Sequence, residues 1–358
     1  MTNANTTMGI DLGDKYSHVC VLDAAGNVTE RARLKTAPAA FSRWFGGRVR
    51  MRVAAETGTH VRWIAELVRG LGHEMLVANA RQVRLVFAGH RKNDQLDAEK
   101  LARLARVDPQ LLNPVSLRSR QAHADRAIVM ARDNLIAMRT KLINSVRGTL
   151  KSFGKRVRSG DANAFHRRAP EAVPEELMPA VEPVLETLEH LTAQIRRYDK
   201  LIDGKCEQYP VTKQLQQIHG VGPITALTFA LTLEDPNRFA RSRDVGAYLG
   251  LVPKERQTGG KDPELGISRV GDANLRRLLV QCAQYMLGPF GKDSDLRRHG
   301  ERIMARGGKT RPRGKRRTSP KKRAAVAVAR KLAVVMHRLW ITGATYEPLH
   351  ASETAKAA

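Results

Sequence analysis

The segment 8–22, MGIDLGDKYSHVCVL, decides the fold that this sequence predicts. Residues 8–13 are a short apolar strand that contains one acid, Asp11. A turn at Asp14-Lys15 leads into a second apolar strand over 17–22, and the pair predicts a β-hairpin. A carboxylate among apolar neighbours is costly to bury unless a cation or a hydrogen-bond network meets it. Asp11 is therefore the first candidate functional residue.

Strand and helix patterns alternate after this hairpin. Strands are predicted over 28–35, 49–55 and 74–77, and helices over 38–45 and 61–69. Three strands in a meander, followed by alternating helices and strands, is the order of ribonuclease-H-like domains. The first part of the chain is therefore predicted to be an α/β domain with a ribonuclease-H-like fold.

Two apolar stripes predict two long helices in the middle of the chain. The first stripe is Ile128, Ala131, Leu135, Met138 and Leu142, and the second is Val181, Val184, Leu188, Leu191, Ile195, Tyr198 and Ile202. Spacings of three and four residues are typical of a helical hairpin or coiled coil, within the chain or between subunits, although two ordinary core helices are the alternative. Residues 159–183 are predicted as a loop or short helices. The predicted domains are 1–107, 108–210 and 211–358.

The last third is predicted to be mainly helical up to about residue 287. It opens with IHGVGPI at 218–224, which predicts a helix, a Gly-x-Gly turn and a second helix, as in helix-hairpin-helix elements. Gly220 and Gly222 allow backbone N–H groups to approach a phosphate closely. We therefore expect this turn to contact a nucleic-acid backbone.

Charge indicates the class of partner. The chain has 358 residues and a net charge of +27, while 42% hydrophobic residues suffice for folded cores. Residues 302–323 hold eleven Lys and Arg and no acid, and an apolar, helix-like stretch follows over 324–340. Such a density of positive charge favours phosphate binding, and the alternative is that these residues are a solvated loop. The candidate contacts there are Arg311, Arg313, Lys315, Arg316, Arg317, Lys321, Lys322 and Arg323. An aromatic content of 5% favours backbone recognition over base stacking.

Other classes of protein are not expected. No apolar run reaches the length of a membrane span, and the first residues lack the apolar core of a signal peptide. The three cysteines are scattered and form no zinc or disulfide pattern. We therefore predict a cytoplasmic protein without a membrane partner.

Three further acids complete a candidate metal site. Glu56 ends the fourth predicted strand, and Asp94 and Asp97 lie three residues apart on one face of a helix. First and fourth strands are neighbours in the ribonuclease-H order, so Asp11 and Glu56 face one cleft. Convergent carboxylates need cations, and Mg²⁺, or Mn²⁺ in its place, suits oxygen ligands in phosphoryl transfer. The alternative is that Asp94 is a helix cap and Glu56 a surface residue.

Two blocks of sequence resemble one family, the DEDD transposases of insertion sequences, also described as serine-type, bridge-RNA-guided recombinases. The first block is GID at 9–11, ETG at 56–58 and KNDQLDA at 92–98. The second is IHGVGPITA at 218–226, YLGLVP at 248–253, QTGGK at 257–261 and ISRVGD at 267–272, followed by Leu275-Arg276-Arg277.

The resemblance implies roles for individual residues. Asp11, Glu56, Asp94 and Asp97 match the acids that hold the metal, and Lys261, Arg276 and Arg277 lie in the block expected to contact nucleic acid. The family's nucleophile is a serine that attacks a DNA phosphodiester and leaves a covalent link and a free 3′ hydroxyl. Here Thr258 stands in that position. Either Thr258 acts in its place, or this copy is disabled, or Ser268 has the role.

The resemblance also implies partners. They are the DNA of the element ends and of the target, a guide RNA encoded beside the element, and further copies of the chain in a tetramer built of two dimers. It implies association with the nucleoid during activity. Two alternatives stay open: a RuvC-like, metal-dependent junction nuclease that uses water, and an inactive relic that binds RNA or DNA.

Overall fold

The computed structural model describes residues 6–81, 83, 94–254, 265–306 and 319–350. The chain divides into two compact units, Met1–Leu117 and Arg118–Ala358. The division into three domains at 107 and 210 stays a prediction. Within the described ranges, no helix is both long enough and apolar enough to span a membrane.

A five-stranded mixed sheet forms the centre of the first unit. Its strands are β1 (Thr7–Asp11), β2 (Tyr16–Leu22), β3 (Val28–Lys35), β4 (Arg52–Glu56) and β5 (Glu74–Ala78). The order is β3-β2-β1-β4-β5, with β1 antiparallel to β2 and parallel to β4. The predicted α/β class and the predicted neighbours β1 and β4 are therefore confirmed, and the order is consistent with a ribonuclease-H-like domain.

Helices cover both faces of the sheet. They are α1 (Pro38–Phe45), α2 (Val61–Gly70) and α3 (Asp94–Val107). Met8 and Ile10 of β1 are buried in the same cluster as residues of α1 and α2. Because side chains alternate along a strand, Gly9 and Asp11 belong to the opposite face, where α3 lies.

Gly9 determines how closely α3 lies on the sheet. A Cβ atom at this position would lie 1.9 Å from the carbonyl oxygen of Ala98 and 2.6 Å from the backbone nitrogen of Ala102. No side chain fits in that space, so the helix backbone rests directly on β1. The first turn of α3, with Asp94, begins one turn before this contact.

Two long helices pack against each other in the second unit. They are α4 (Arg120–Ser152) and α6 (Met178–Gln208), and the short helix α5 (Phe165–Arg168) lies in their connection. Residues 143–150 of α4 share a buried cluster with 181–188 of α6, whereas 122–129 share one with 202–206. The helices are therefore antiparallel, as the predicted hairpin requires.

The apolar stripe predicted for α4 is confirmed only in part. Ile128 and Leu142 are partly buried and pack against the two clusters, whereas Met138 is 54% exposed, and the buried positions include Arg139. Arg139 donates to Asn163 at 2.5 Å within this stripe, and Arg132 donates to Asp199 at 2.5 Å. An apolar pattern cannot detect a stripe that contains arginines. The predicted loop also ends early, because Pro183 lies inside α6.

A buried carboxylate joins the open ends of this hairpin. Asp125 of α4 accepts hydrogen bonds from Tyr209 at 2.7 Å, Lys205 at 2.9 Å and Gln121 at 3.0 Å. Burial alone would raise the pKa of Asp125, but these hydrogen bonds outweigh it and hold the pKa below its usual range.

The remaining helices enclose a separate core. They are α7 (Val211–Leu215), α8 (Pro223–Leu233), α9 (Asp244–Tyr248), α10 (Ala273–Met286), α11 (Asp295–Arg306) and α12 (Pro320–Thr342). α12 lies at the centre of this core, with Val328, Leu332 and Met336 fully buried. The apolar stretch predicted at 324–340 is thus a helix, whereas the helical part does not stop near 287, because α11 follows it.

We expect the Gly9→Ala substitution to lower the free energy of unfolding of the first unit by about 3 kcal/mol, since the added methyl forces α3 away from β1. Gly70→Ala is the matched control, because its Cβ meets open space and alanine favours the helix. Urea unfolding can be followed by the fluorescence of Trp44 and Trp63 in a Trp340→Phe background. Equal stability of the two variants would contradict the close approach of α3.

Candidate metal centre and nucleic-acid interface

Asp11, His18 and Asp94 form a cluster at one edge of the sheet. One possible ligand atom from each residue lies within 4.8 Å of those of the other two. Asp11 and His18 are cross-strand partners in β1 and β2, so their side chains share a face. Asp94 lies in the first turn of α3, and its Oδ2 is 3.8 Å from Nδ1 of His18. The hairpin and the Gly9 contact together produce this arrangement.

Glu56 and Asp97 lie outside that cluster. Glu56 is the last residue of β4. It follows Ala55, which pairs with Ile10 of β1, so Glu56 and Asp11 are at the ends of neighbouring strands. Asp97 lies one helical turn after Asp94 and pairs with Lys100 at 2.8 Å. Of the four acids expected from the sequence, the structure therefore brings Asp11 and Asp94 close together.

His18 was not among the residues expected from the sequence. A signal for it exists in the hairpin register, because the strand pairing that sets Gly9 opposite Cys20 sets Asp11 opposite His18. Because side chains alternate along β2, His18 then lies on the face of the sheet that carries Asp11.

The donor set fits a divalent cation. Two carboxylates supply oxygen ligands of the kind Mg²⁺ and Mn²⁺ prefer, and an imidazole nitrogen is a ligand for transition metals. Asp94 is half exposed, so the cluster is open on one side. We identify these three residues as a candidate metal site.

The segment that carries Thr258 and Lys261 lies outside the described residues, but its two ends are described. Lys254 donates its backbone N–H to Gly266 at 3.0 Å, and Pro253 forms a β-bridge with Ile267. The described residues on either side of 255–264 are thus paired with each other. Ser268 directly follows Ile267, and its hydroxyl oxygen is buried without a hydrogen-bond partner among the described residues.

Two glycines bring the described residues on either side of this segment close together. A Cβ at Gly250 would lie 2.3 Å from the carbonyl oxygen of Val270, and one at Gly271 would lie 2.0 Å from that of Tyr248. Both glycines have positive φ, at +66° and +73°. The YLGLVP and ISRVGD motifs therefore hold each other in place through backbone contacts.

The two glycines of the 218–224 turn differ in their surroundings. Gly220 has φ +94°, and its Cβ would meet the ring of Tyr285 at 3.1 Å, so ring packing accounts for this glycine. Gly222 has open space around it and is the N-cap of α8, without a side-chain cap. Backbone N–H groups at such a helix end favour anions. Phosphate binding at this turn stays a prediction.

The expected basic contacts have different environments. Arg276 donates to the backbone carbonyls of Leu249 at 3.0 Å and Val270 at 2.8 Å, which gives it a structural role. Arg277 is exposed and pairs with Asp133. The remaining described contacts are exposed in the first turn of α12, namely Lys321, Lys322 and Arg323. Five others lie outside the described residues: Arg311, Arg313, Lys315, Arg316 and Arg317.

Comparisons with known proteins find matches along most of the chain. A family model described as "Transposase IS116/IS110/IS902 family" matches residues 212–294, and a DEDD transposase model of the IS110 type matches residues 8–154. The chain is 31% identical over 314 residues to the transposase for insertion sequence element IS1328 of Yersinia enterocolitica, covering 84% of this chain and 92% of the relative. It is 29% identical over 290 residues to the transposase for insertion sequence element IS1111A of Coxiella burnetii, covering 78% and 77%.

The first matched region covers the first unit from residue 8 onward and continues into α4, and the second lies within the second unit. The first includes the sheet, α3 and the candidate metal site, and the second includes the Gly-x-Gly turn and the segment that carries Thr258. Because the match to the Yersinia relative spans most of both proteins, the chain belongs to the IS116/IS110/IS902 family of transposases.

Proposed function

We propose that this transposase cuts and rejoins DNA strands of an insertion sequence with a divalent metal ion, Mg²⁺ or Mn²⁺, and a hydroxyl nucleophile. The cluster of Asp11, His18 and Asp94 on a ribonuclease-H-like sheet is the observation that carries the proposal. When bound there, the ion would neutralise charge that develops on the scissile phosphate. Glu56 and Asp97, next to the cluster, would complete the acidic site once nucleic acid is bound.

The proposed nucleophile is the hydroxyl of Thr258. Its oxygen would attack phosphorus, the bond from phosphorus to the 3′ oxygen would break, and that oxygen would leave as a hydroxyl after taking up a proton. The DNA would stay joined to the protein through a phosphothreonine. A later attack by a 3′ hydroxyl on this link would release the threonine and complete the exchange of strands.

The basic residues would hold the nucleic acid. Lys321, Lys322 and Arg323 occupy the first turn of α12, where the helix dipole disfavours cations. A phosphate at this helix end would relieve that repulsion. We propose that residues 302–323 and Lys261 and Arg277 contact phosphates, that Gly222 contacts one through the backbone, and that a guide RNA encoded by the element selects the DNA in an oligomer of this chain.

Substitutions in the candidate metal site test the role of its residues in strand cleavage and Mn²⁺ binding separately from DNA binding. We expect Asp11→Asn and Asp94→Asn to lower strand cleavage about 100-fold or more, and His18→Gln to weaken Mn²⁺ binding about 10-fold. Mn²⁺ binding can be measured by electron paramagnetic resonance, and DNA binding in parallel. Glu66→Gln is the control, since Glu66 is exposed on α2 and pairs with Arg62. Unchanged Mn²⁺ binding in all three variants would refute the site.

The nucleophile is tested by the covalent product. We expect wild type and Thr258→Ser to form a DNA–protein adduct that survives denaturing electrophoresis, and Thr258→Ala to form none, because alanine lacks the hydroxyl. Ser268→Ala should retain the adduct. Cleavage without an adduct in the wild type would support the junction nuclease that uses water, whereas loss of the adduct only in Ser268→Ala would move the nucleophile there. No cleavage and no adduct in the wild type would support the relic.

The salt dependence of binding tests the basic run. Replacement of Arg311, Arg313, Lys315, Arg316 and Arg317 by alanine should reduce the slope of log K against log salt by about 0.9 for each phosphate of duplex DNA that the protein no longer neutralises. A control variant removes charge from the first unit through alanine at Lys15, Lys35, Arg43 and Arg50. Equal slopes for wild type and the basic-run variant would show that these residues are only a solvated loop.

A further inference from the structure

Three aromatic side chains form an exposed cluster in the second unit. The rings of Tyr285 and Phe290 are stacked, with centroids 6.5 Å apart and an interplanar angle of 22°. His219 lies 5.5 Å from Tyr285, ring centre to ring centre. Phe290 is 75% exposed and Tyr285 44% exposed. Stacked rings open to solvent are a surface on which further flat rings can stack.

The turn that carries Phe290 is held rigidly although its ring is exposed. One nitrogen of the Arg297 guanidinium, Nη1, donates to the carbonyl oxygens of Met286 at 3.0 Å, Gly288 at 2.9 Å and Gly291 at 2.7 Å. A Cβ at Gly291 would lie 1.9 Å from the Met286 oxygen. The exposed ring therefore does not result from a loose loop, and it is preorganised for contact with a partner.

Glycine at position 220 brings the Gly-x-Gly turn against the same cluster. His219 Nε2 is 3.1 Å from the carbonyl oxygen of Phe290, and the Gly220 backbone packs on the ring of Tyr285. The N-terminus of α8, with Gly222 as its N-cap, follows directly. Aromatic rings thus lie beside backbone N–H groups that suit a phosphate.

A cleft of about 300 Å³ continues this surface along α10. Arg277 and Gln281 line it, and they precede Tyr285 by two turns and one turn of the same helix. Asn274 also lines it and is 9% exposed; its Nδ2 donates to Asp133, but its Oδ1 is buried without a donor in the described part of the chain. An N–H group of a nucleobase is a donor of the kind this oxygen lacks.

We propose that His219, Tyr285 and Phe290 form a stacking platform for unpaired bases of a single-stranded nucleic acid, whose strand continues past the N-terminus of α8 into the cleft at Asn274. The proposal rests on the proposed nucleic-acid function and adds the recognition of bases that are not in a duplex. Stacking tolerates any base, whereas the cleft receives a base edge. A basic protein with Arg277 exposed at the cleft complements the charge of such a strand.

Fluorescence anisotropy with labelled oligo(dT), oligo(U) and a DNA duplex tests the platform. Phe290→Leu and Tyr285→Leu should each weaken binding of an unpaired strand about 5- to 100-fold, because leucine keeps the apolar volume but offers no aromatic ring for stacking. Phe290→Tyr should retain binding, and duplex binding should change less than twofold. Phe153→Leu is the control, since Phe153 is 45% exposed at the end of α4. The oligo(dT) and oligo(U) arms show whether DNA or RNA is the preferred strand.

A second pair of variants tests the cleft. Gln281→Ala should weaken single-strand binding, whereas Gln284→Ala, on the same helix but outside the cleft, should not. If wild type binds nucleic acid and the leucine variants bind single strands equally well, the platform is refuted and the proposed function stands. Equal losses of binding to duplex and to single strand also refute the platform. A change in sedimentation without a change in binding refutes it too, because it would assign the rings to contacts between copies of the chain. A wild type that binds no strand overturns both proposals.

Discussion

The contact of Gly9 with the backbone of α3 is the constraint on which the first unit depends. With no side chain at this position, Ala98 and Ala102 rest directly on β1, and the helix has one possible height above the sheet. The first turn of α3 then begins at the edge where β1 ends, so Asp94 reaches Asp11. A larger residue would move the carboxylate and the helix together, because the same contact sets both the packing and the geometry of the acids.

Much of this unit could be predicted from the sequence, since alternating apolar residues and short turns specify it locally. The bounds of β3 and α1 agree with the prediction at both ends, and the pairing of β1 with β4 follows from the order of elements. Asp11 was found because it interrupts an apolar strand, and Asp94 because it lies three residues before Asp97 on one face of a predicted helix. His18 was missed because a histidine in a strand breaks no sequence pattern. It becomes a candidate ligand only once its partner across the hairpin, Asp11, is known.

The second unit could be predicted less well, because its determinants are contacts between distant residues. Arg139 is buried in the seam of α4 and donates a hydrogen bond to Asn163, so a search for apolar residues alone does not find every buried position of the seam. The aromatic content of 5% is an average over the whole chain, and this average argued against base stacking. Residues 219, 285 and 290 meet only in the folded protein, and three rings in one place matter more than a low average.

Both units concentrate charges that favour a partner of opposite sign. Asp11 and Asp94 bring two carboxylates together beside a histidine, and α12 begins with three cations at the positive end of its dipole. The first arrangement favours a cation and the second an anion. Each unit by itself therefore presents a local excess of one charge that a ligand of the opposite sign would stabilise.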